Sequence, residues 1–121
     1  MQPVHKPAAD AEEYLTPEGC WILEVANDAD DEAASVARAR VEPGVSTEWH
    51  LLRNTAERYL ILQGRGRVEI GESPSFEVAI GDVVRIPADI RQRISNIGDD
   101  DLIFYCVCTP RFKAANYRSL S

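Results

Sequence analysis

Nothing in the 121 residues approaches the ~18 consecutive apolar residues that a membrane-spanning helix needs. The opening stretch MQPVHKPAADAEEY also lacks the apolar core of a secretion signal, so a cytoplasmic protein without membrane contact is expected. Cysteine is scarce: Cys20, Cys106 and Cys108 make no CxxC pair and no zinc-finger spacing, which argues against a disulfide framework and a structural zinc site. Glycine and proline, seven of each, are too few for a collagen-like or low-complexity chain. Positive charge is in deficit, with 13 Lys and Arg against 20 Asp and Glu for a net charge of -7. Residues 1 to 35 hold nine of those acids against Lys6 alone, and no basic face emerges that could neutralise phosphates. Nucleic acid is therefore not an expected partner. Imidazole is the rarest resource of all for metal chemistry, because His5 and His50 are the only histidines.

What is present is an ordinary globular composition, 45% hydrophobic and 27% charged, of a length that fits one domain. Residues 1–14 carry Pro3 and Pro7 without periodicity and read as a flexible arm; residues 15–121 read as the folded body. Thr16 and Pro17 could open one helical turn before Gly19. From there short strands dominate, with turns at NDADDE and at Pro43-Gly44. Strands are expected at 20–25, 34–41, 45–52, 57–63, 66–70, 76–80, 83–86, 92–96 and 102–108, and a short helical turn somewhere in 112–120. Many short strands separated by tight turns indicate an all-β sandwich or barrel.

Two stretches carry the sharpest signal. In the first, Gly44, His50, Leu52, Glu57 and Gly64 follow the spacing Gly, five residues, His-x-His, four residues, Glu, six residues, Gly, with Leu52 at the second His. In the second, Gly81, Pro87, Asp89, Gln92 and Asn96 follow Gly, five residues, Pro-x-Gly, two residues, His, three residues, Asn, with Asp89 for Gly and Gln92 for His. This pairing resembles the two motifs of the cupin superfamily. The resemblance implies a double-stranded β-helix, or jelly-roll barrel, that holds a metal or small ligand inside. It also implies a homodimer, for which outward Trp49 and Leu51 would suit.

Treating Arg53–Ala56 as a hairpin loop sets Leu52 opposite Glu57 and His50 opposite Tyr59, so His50, Leu52, Glu57 and Tyr59 share one face. By the same alternation Gln92 and Asn96 share a face of a later strand. The resemblance turns both faces into one barrel, with His50, Glu57 and Tyr59 as candidate acid–base groups. Metal-binding cupins use three His and one Glu, and here His50, Glu57 and Gln92 remain, so a divalent transition ion such as Fe, Mn, Ni or Zn would be held weakly. Candidate ligand-binding residues are Gln92, Cys106 and the strand-face pair Arg38 and Arg40. Packing competes with each reading: His50 could be a buried histidine bonded to Glu57 or Tyr59, the cysteines small buried hydrophobes, and the arginines partners of surface acids.

Three functions stand open. The first is binding of a small molecule, sugar-like or a small carboxylate, by His50, Glu57, Tyr59 and Gln92. The second, implied by the resemblance, is a metal-dependent isomerase or epimerase, with dioxygenase and lyase behind. The third is an accessory homodimer that has lost its site.

Overall fold

A computed structural model describes residues 1–120. Eleven strands run in chain order: β1 (Tyr14–Leu15), β2 (Trp21–Ala26), β3 (Ser35–Val41), β4 (His50–Leu52), β5 (Ala56–Gln63), β6 (Gly66–Ile70), β7 (Phe76–Val78), β8 (Val83–Ile86), β9 (Gln92–Asn96), β10 (Leu102–Thr109) and β11 (Tyr117–Ser119). They form two antiparallel sheets, one ordered β1-β2-β3-β10-β5-β8 and the other β11-β4-β9-β6-β7. The core lies between them, as the expected jelly-roll requires.

Alternation fixes what points inward. On β10 Leu102, Phe104, Cys106 and Cys108 are buried and the residues between them are not, because a strand turns successive side chains to opposite faces. Pairing then stacks the inward side chains in tiers: Cys108 faces Ser35 and Glu57, Cys106 faces Ala37 and Tyr59, and Phe104 faces Ala39 and Ile61. Small residues on β3 thus lie beside small residues on β10 toward one end of the barrel, and that end stays open. At the other end Ile61, Val68, Ile94, Leu102 and Phe104 close the interior, each at most 2% exposed.

Two motif positions show why their spacing matters. A Cβ on Gly64, whose φ is +86°, would stand 2.8 Å from the Asp101 carbonyl oxygen, so only glycine fits. Asp89 occupies a family glycine position and holds φ +66°. A short polar side chain tolerates that left-handed backbone, and its carboxylate accepts the Asn54 backbone N–H at 3.1 Å.

Several expectations are corrected or refined. Arg53–Ala56 is no hairpin: β4 and β5 belong to different sheets, and the chain crosses between them through Asn54 at φ +56°. His50 therefore pairs with Gln92 and Ser119, not with Tyr59. The strand expected over 45–52 shrinks to β4, since the Thr47 hydroxyl accepts the Ile94 N–H and takes a place in the ladder. Near the C-terminus the helical turn is a single 3-10 turn at Ala114–Asn116, after which β11 covers the edge of β4. At the other terminus Thr16 caps no helix; its hydroxyl donates to the Cys20 carbonyl across a tight turn.

Candidate functional site

The open end of the barrel encloses a cavity of about 260 Å³. Its inner wall comes from β3, β5 and β10, and its mouth from the turn around Thr16–Glu18 on one side and from Phe112, Ala114 and Tyr117 on the other. Among the described residues no Arg or Lys lines it.

His50 opens β4 and is 5% exposed. Its Nδ1 lies 2.8 Å from the Glu48 carbonyl oxygen, which can only accept, so Nδ1 carries a proton and donates in this hydrogen bond. The ring stacks on Tyr117 with centroids 5.1 Å apart and an 18° interplanar angle. Tyr117 in turn donates its hydroxyl to Glu48 Oε1 at 2.6 Å. The ring is thus held by Glu48 and Tyr117, and the expected bond to Glu57 or Tyr59 is not formed.

Glu57 is 8% exposed, with the Cys108 thiol donating to Oε2 at 3.8 Å and Oε1 without any hydrogen-bond partner. Burial pushes its carboxyl up to about 7; the charge of Glu18 adds to this, while His50 and the nearby Gln92 and Cys106 side chains work against it. Beside it Tyr59 donates its hydroxyl to Gln92 Oε1 and packs on Phe104. Burial, reinforced by Glu57, raises Tyr59 and Cys106 well above their usual values, and burial likewise raises Cys20 and Cys108. The free thiols consequently stay protonated near neutral pH and are weak hydrogen-bond donors.

The sequence motifs place His50, Leu52, Glu57, Tyr59, Gln92 and Cys106 inside the barrel, and all six are buried. Arg38 and Arg40 are not with them. Both alternate outward from Ala37 and Ala39, and Arg40 is held by Glu13 at 2.6 Å and Asp101 at 3.3 Å against the Trp21 ring. An anion bound by this pair would sit outside the cavity. Trp49 also faces outward, with Arg91 and Arg93 stacked on it at 4.7 and 4.6 Å.

Glu18, Tyr117 and the small residues Ser35, Ala37 and Ala39 belong to the site and were not singled out as site residues by the sequence. For the β3 residues a signal existed, small side chains on one face of an alternating strand. For Glu18, in a turn without periodicity, there was none.

As a metal centre the set is poor. Leu52 offers no donor, the Gln92 oxygen is occupied by Tyr59, and only His50 and Glu57 remain at the motif positions. Among the described residues no group of three or more His, Cys, Asp or Glu is arranged to hold an ion. No described helix is long and apolar enough to cross a membrane.

Comparison with known proteins agrees with this architecture. A profile described as the cupin domain matches residues 37–108. An uncharacterised protein of Methanocaldococcus jannaschii is 34% identical over 101 residues, which cover 82% of this chain and 80% of the relative. Oxalate decarboxylase of Bacillus subtilis is 29% identical over 105 residues, 84% of this chain but only 26% of that enzyme. Among solved structures, oxalate decarboxylase of Lactobacillus farciminis in a formate complex superimposes with a TM-score of 0.79 at 26% identity, over 93% of this chain and 34% of the enzyme. Streptomyces Pac13 with uridine, a nucleoside dehydratase, gives 0.82 at 17% identity over 99% of this chain and 92% of its own, a likeness of fold. With the profile spanning more than half of the residues, the chain belongs to the cupin family.

Proposed function

We propose that the barrel binds a small hydroxylated molecule of the sugar-like kind, and that a small carboxylate is not its ligand. The observation that carries this is Glu57 Oε1, a buried carboxylate oxygen on the cavity wall that makes no hydrogen bond within the protein. A ligand hydroxyl satisfies that oxygen, and the apolar faces of Tyr59, Phe104 and Leu52 give a ring something to pack against. An anionic ligand would meet Glu18 and Glu57 without an Arg or Lys on the lining to offset them. Oxalate, named in the decarboxylase relatives, is matched poorly for that reason. Calorimetry and ligand-observed NMR with ribose, glucose, uridine and oxalate test the reading. Binding by at least one hydroxylated compound is expected; binding by oxalate alone would overturn it.

A second reading is proton transfer within the same pocket, as in an isomerase or epimerase. The specific observation in its favour is a Glu57 carboxyl held at about 7, where it both takes and returns a proton near neutral pH. His50, on the same lining, is the imidazole available for a second proton-transfer role. Neither role needs a metal ion. His50 and Glu57 would hold one weakly, and restoring imidazoles with Leu52→His plus Gln92→His should raise affinity for Zn, Mn, Fe or Ni by orders of magnitude in a titration of both proteins.

A further inference from the structure

Glu18 lies outside both family motifs and outside the matched segment 37–108, yet its carboxylate lines the cavity mouth. Oε1 accepts the Cys20 thiol at 3.0 Å. Oε2 is buried and has no hydrogen-bond partner. It stands 3.4 Å from His50 Nδ1, but that nitrogen has already given its proton to the Glu48 carbonyl. The turn cannot easily swing away, because the Glu18 carbonyl accepts the Glu48 N–H at 3.0 Å and Thr16 N–H is bound to the Cys20 carbonyl at 2.9 Å.

Two carboxylates therefore present one unpartnered buried oxygen each to the same space, Glu18 from the mouth and Glu57, nine-tenths buried, from the inner wall. They are close enough for the charge of Glu18 to be felt at Glu57. The protein balances this with no Arg or Lys on the described lining, and the one imidazole beside it has its donor engaged. The aromatic rings of His50, Tyr59, Phe104, Phe112 and Tyr117 complete the walls. A cavity with acceptor oxygens, aromatic faces and no Arg or Lys of its own is complementary to a ligand that brings an ammonium.

We infer that Glu18 is a second ligand-binding carboxylate, and that with Glu57 it makes the cavity selective for a small hydroxylated amine, the ammonium at Glu18 and a hydroxyl at Glu57. The inference rests on the sugar-like reading above and narrows it to amine-bearing members of that class.

Glucose, glucosamine and glucuronate share one ring and differ in charge, so they are the probes, measured by calorimetry at a pH where the amine is protonated. Glucosamine should bind at least tenfold tighter than glucose, and glucuronate at least tenfold more weakly than glucose. Glu18→Gln keeps an oxygen for the Cys20 thiol; it should cut glucosamine affinity at least tenfold and glucose affinity by much less. Glu18→Asp should recover part of the preference, and thermal melts of both variants establish that they fold. Glucose binding as tightly as glucosamine, or glucuronate tightest, overturns the inference and leaves the sugar-like reading standing. Absence of binding by all three overturns the inference, and ribose and uridine then decide the broader reading separately.

Discussion

The two ends of the barrel interior are built on the same strands and by the same alternation, yet one is solid and the other hollow. On β10 the inward row passes from Leu102 and Phe104 to Cys106 and Cys108, on β3 from Val41 and Ala39 to Ala37 and Ser35, and on β5 from Ile61 to Tyr59 and Glu57. Side-chain volume falls along the first two rows while polarity rises along the third. The difference teaches that the cavity needs no separate architecture: it is what remains when tiers of a packed barrel are filled with Ser, Ala and Cys. Stability and ligand binding are consequently segregated by tier, the closed end supplying burial and the open end tolerating unpaired carboxylate oxygens.

Substitutions can break that comparison. Ile61→Ala at the closed end should cost about 2–5 kcal/mol in urea unfolding, since it opens a void in a close-packed tier. Cys106→Ala, one tier away and beside existing space, should cost less than about 1 kcal/mol. Equal losses would mean that the ends are not distinct.

The next effect is one of pH and belongs to the open end alone. Glu57 moves from an ordinary value of 4.5 to about 7 in the folded chain, so between those values the native state holds a proton that the unfolded state has released. Stability should fall as pH rises from about 4.5 to 7 and level off above, by on the order of 3 kcal/mol at most. Glu57→Gln should remove this slope, matching the wild type near pH 4 and exceeding it at pH 8. Denaturant melts across that range measure it, and parallel curves for the two proteins would take Glu57 out of the acid–base reading.

The smallest effect falls on the rim, where neither volume nor burial decides. Asp89→Val should cost about 1–2 kcal/mol because a β-branched residue resists the left-handed backbone. Asp89→Gly should cost less, losing only the bond to the Asn54 N–H. A larger penalty for glycine than for valine in thermal melts would show that the carboxylate, not the backbone angle, is what this corner requires.

Much of this arrangement was legible in the residues. Motif spacing and period-two alternation placed His50, Leu52, Glu57 and Gln92 inside one barrel because both encode which way a strand side chain points. Adjacency was not legible. Arg53–Ala56 has the length of a hairpin loop, and nothing local distinguishes a loop that folds back from one that crosses to the other sheet; Asn54 reveals the crossing only through its backbone angle. Nor did periodicity reach the ends of the chain, where Glu18 and Tyr117 act through single side chains at turns and edges. The assignment of Arg38 and Arg40 to a ligand failed for a related reason: alternation showed that they share a face, and only the sheet order shows that it is the outer one.

Both walls of the mouth are stapled to one residue, Glu48, whose N–H holds the Glu18 carbonyl and whose carboxylate holds the Tyr117 hydroxyl. The chain thereby divides inheritance from adaptation. The barrel proper supplies a generic chamber, while the turn at Thr16–Glu18 and the stretch Phe112–Tyr117, outside the matched segment 37–108, border its mouth. A relative could exchange its tails, keep every strand of the barrel, and acquire a different diet.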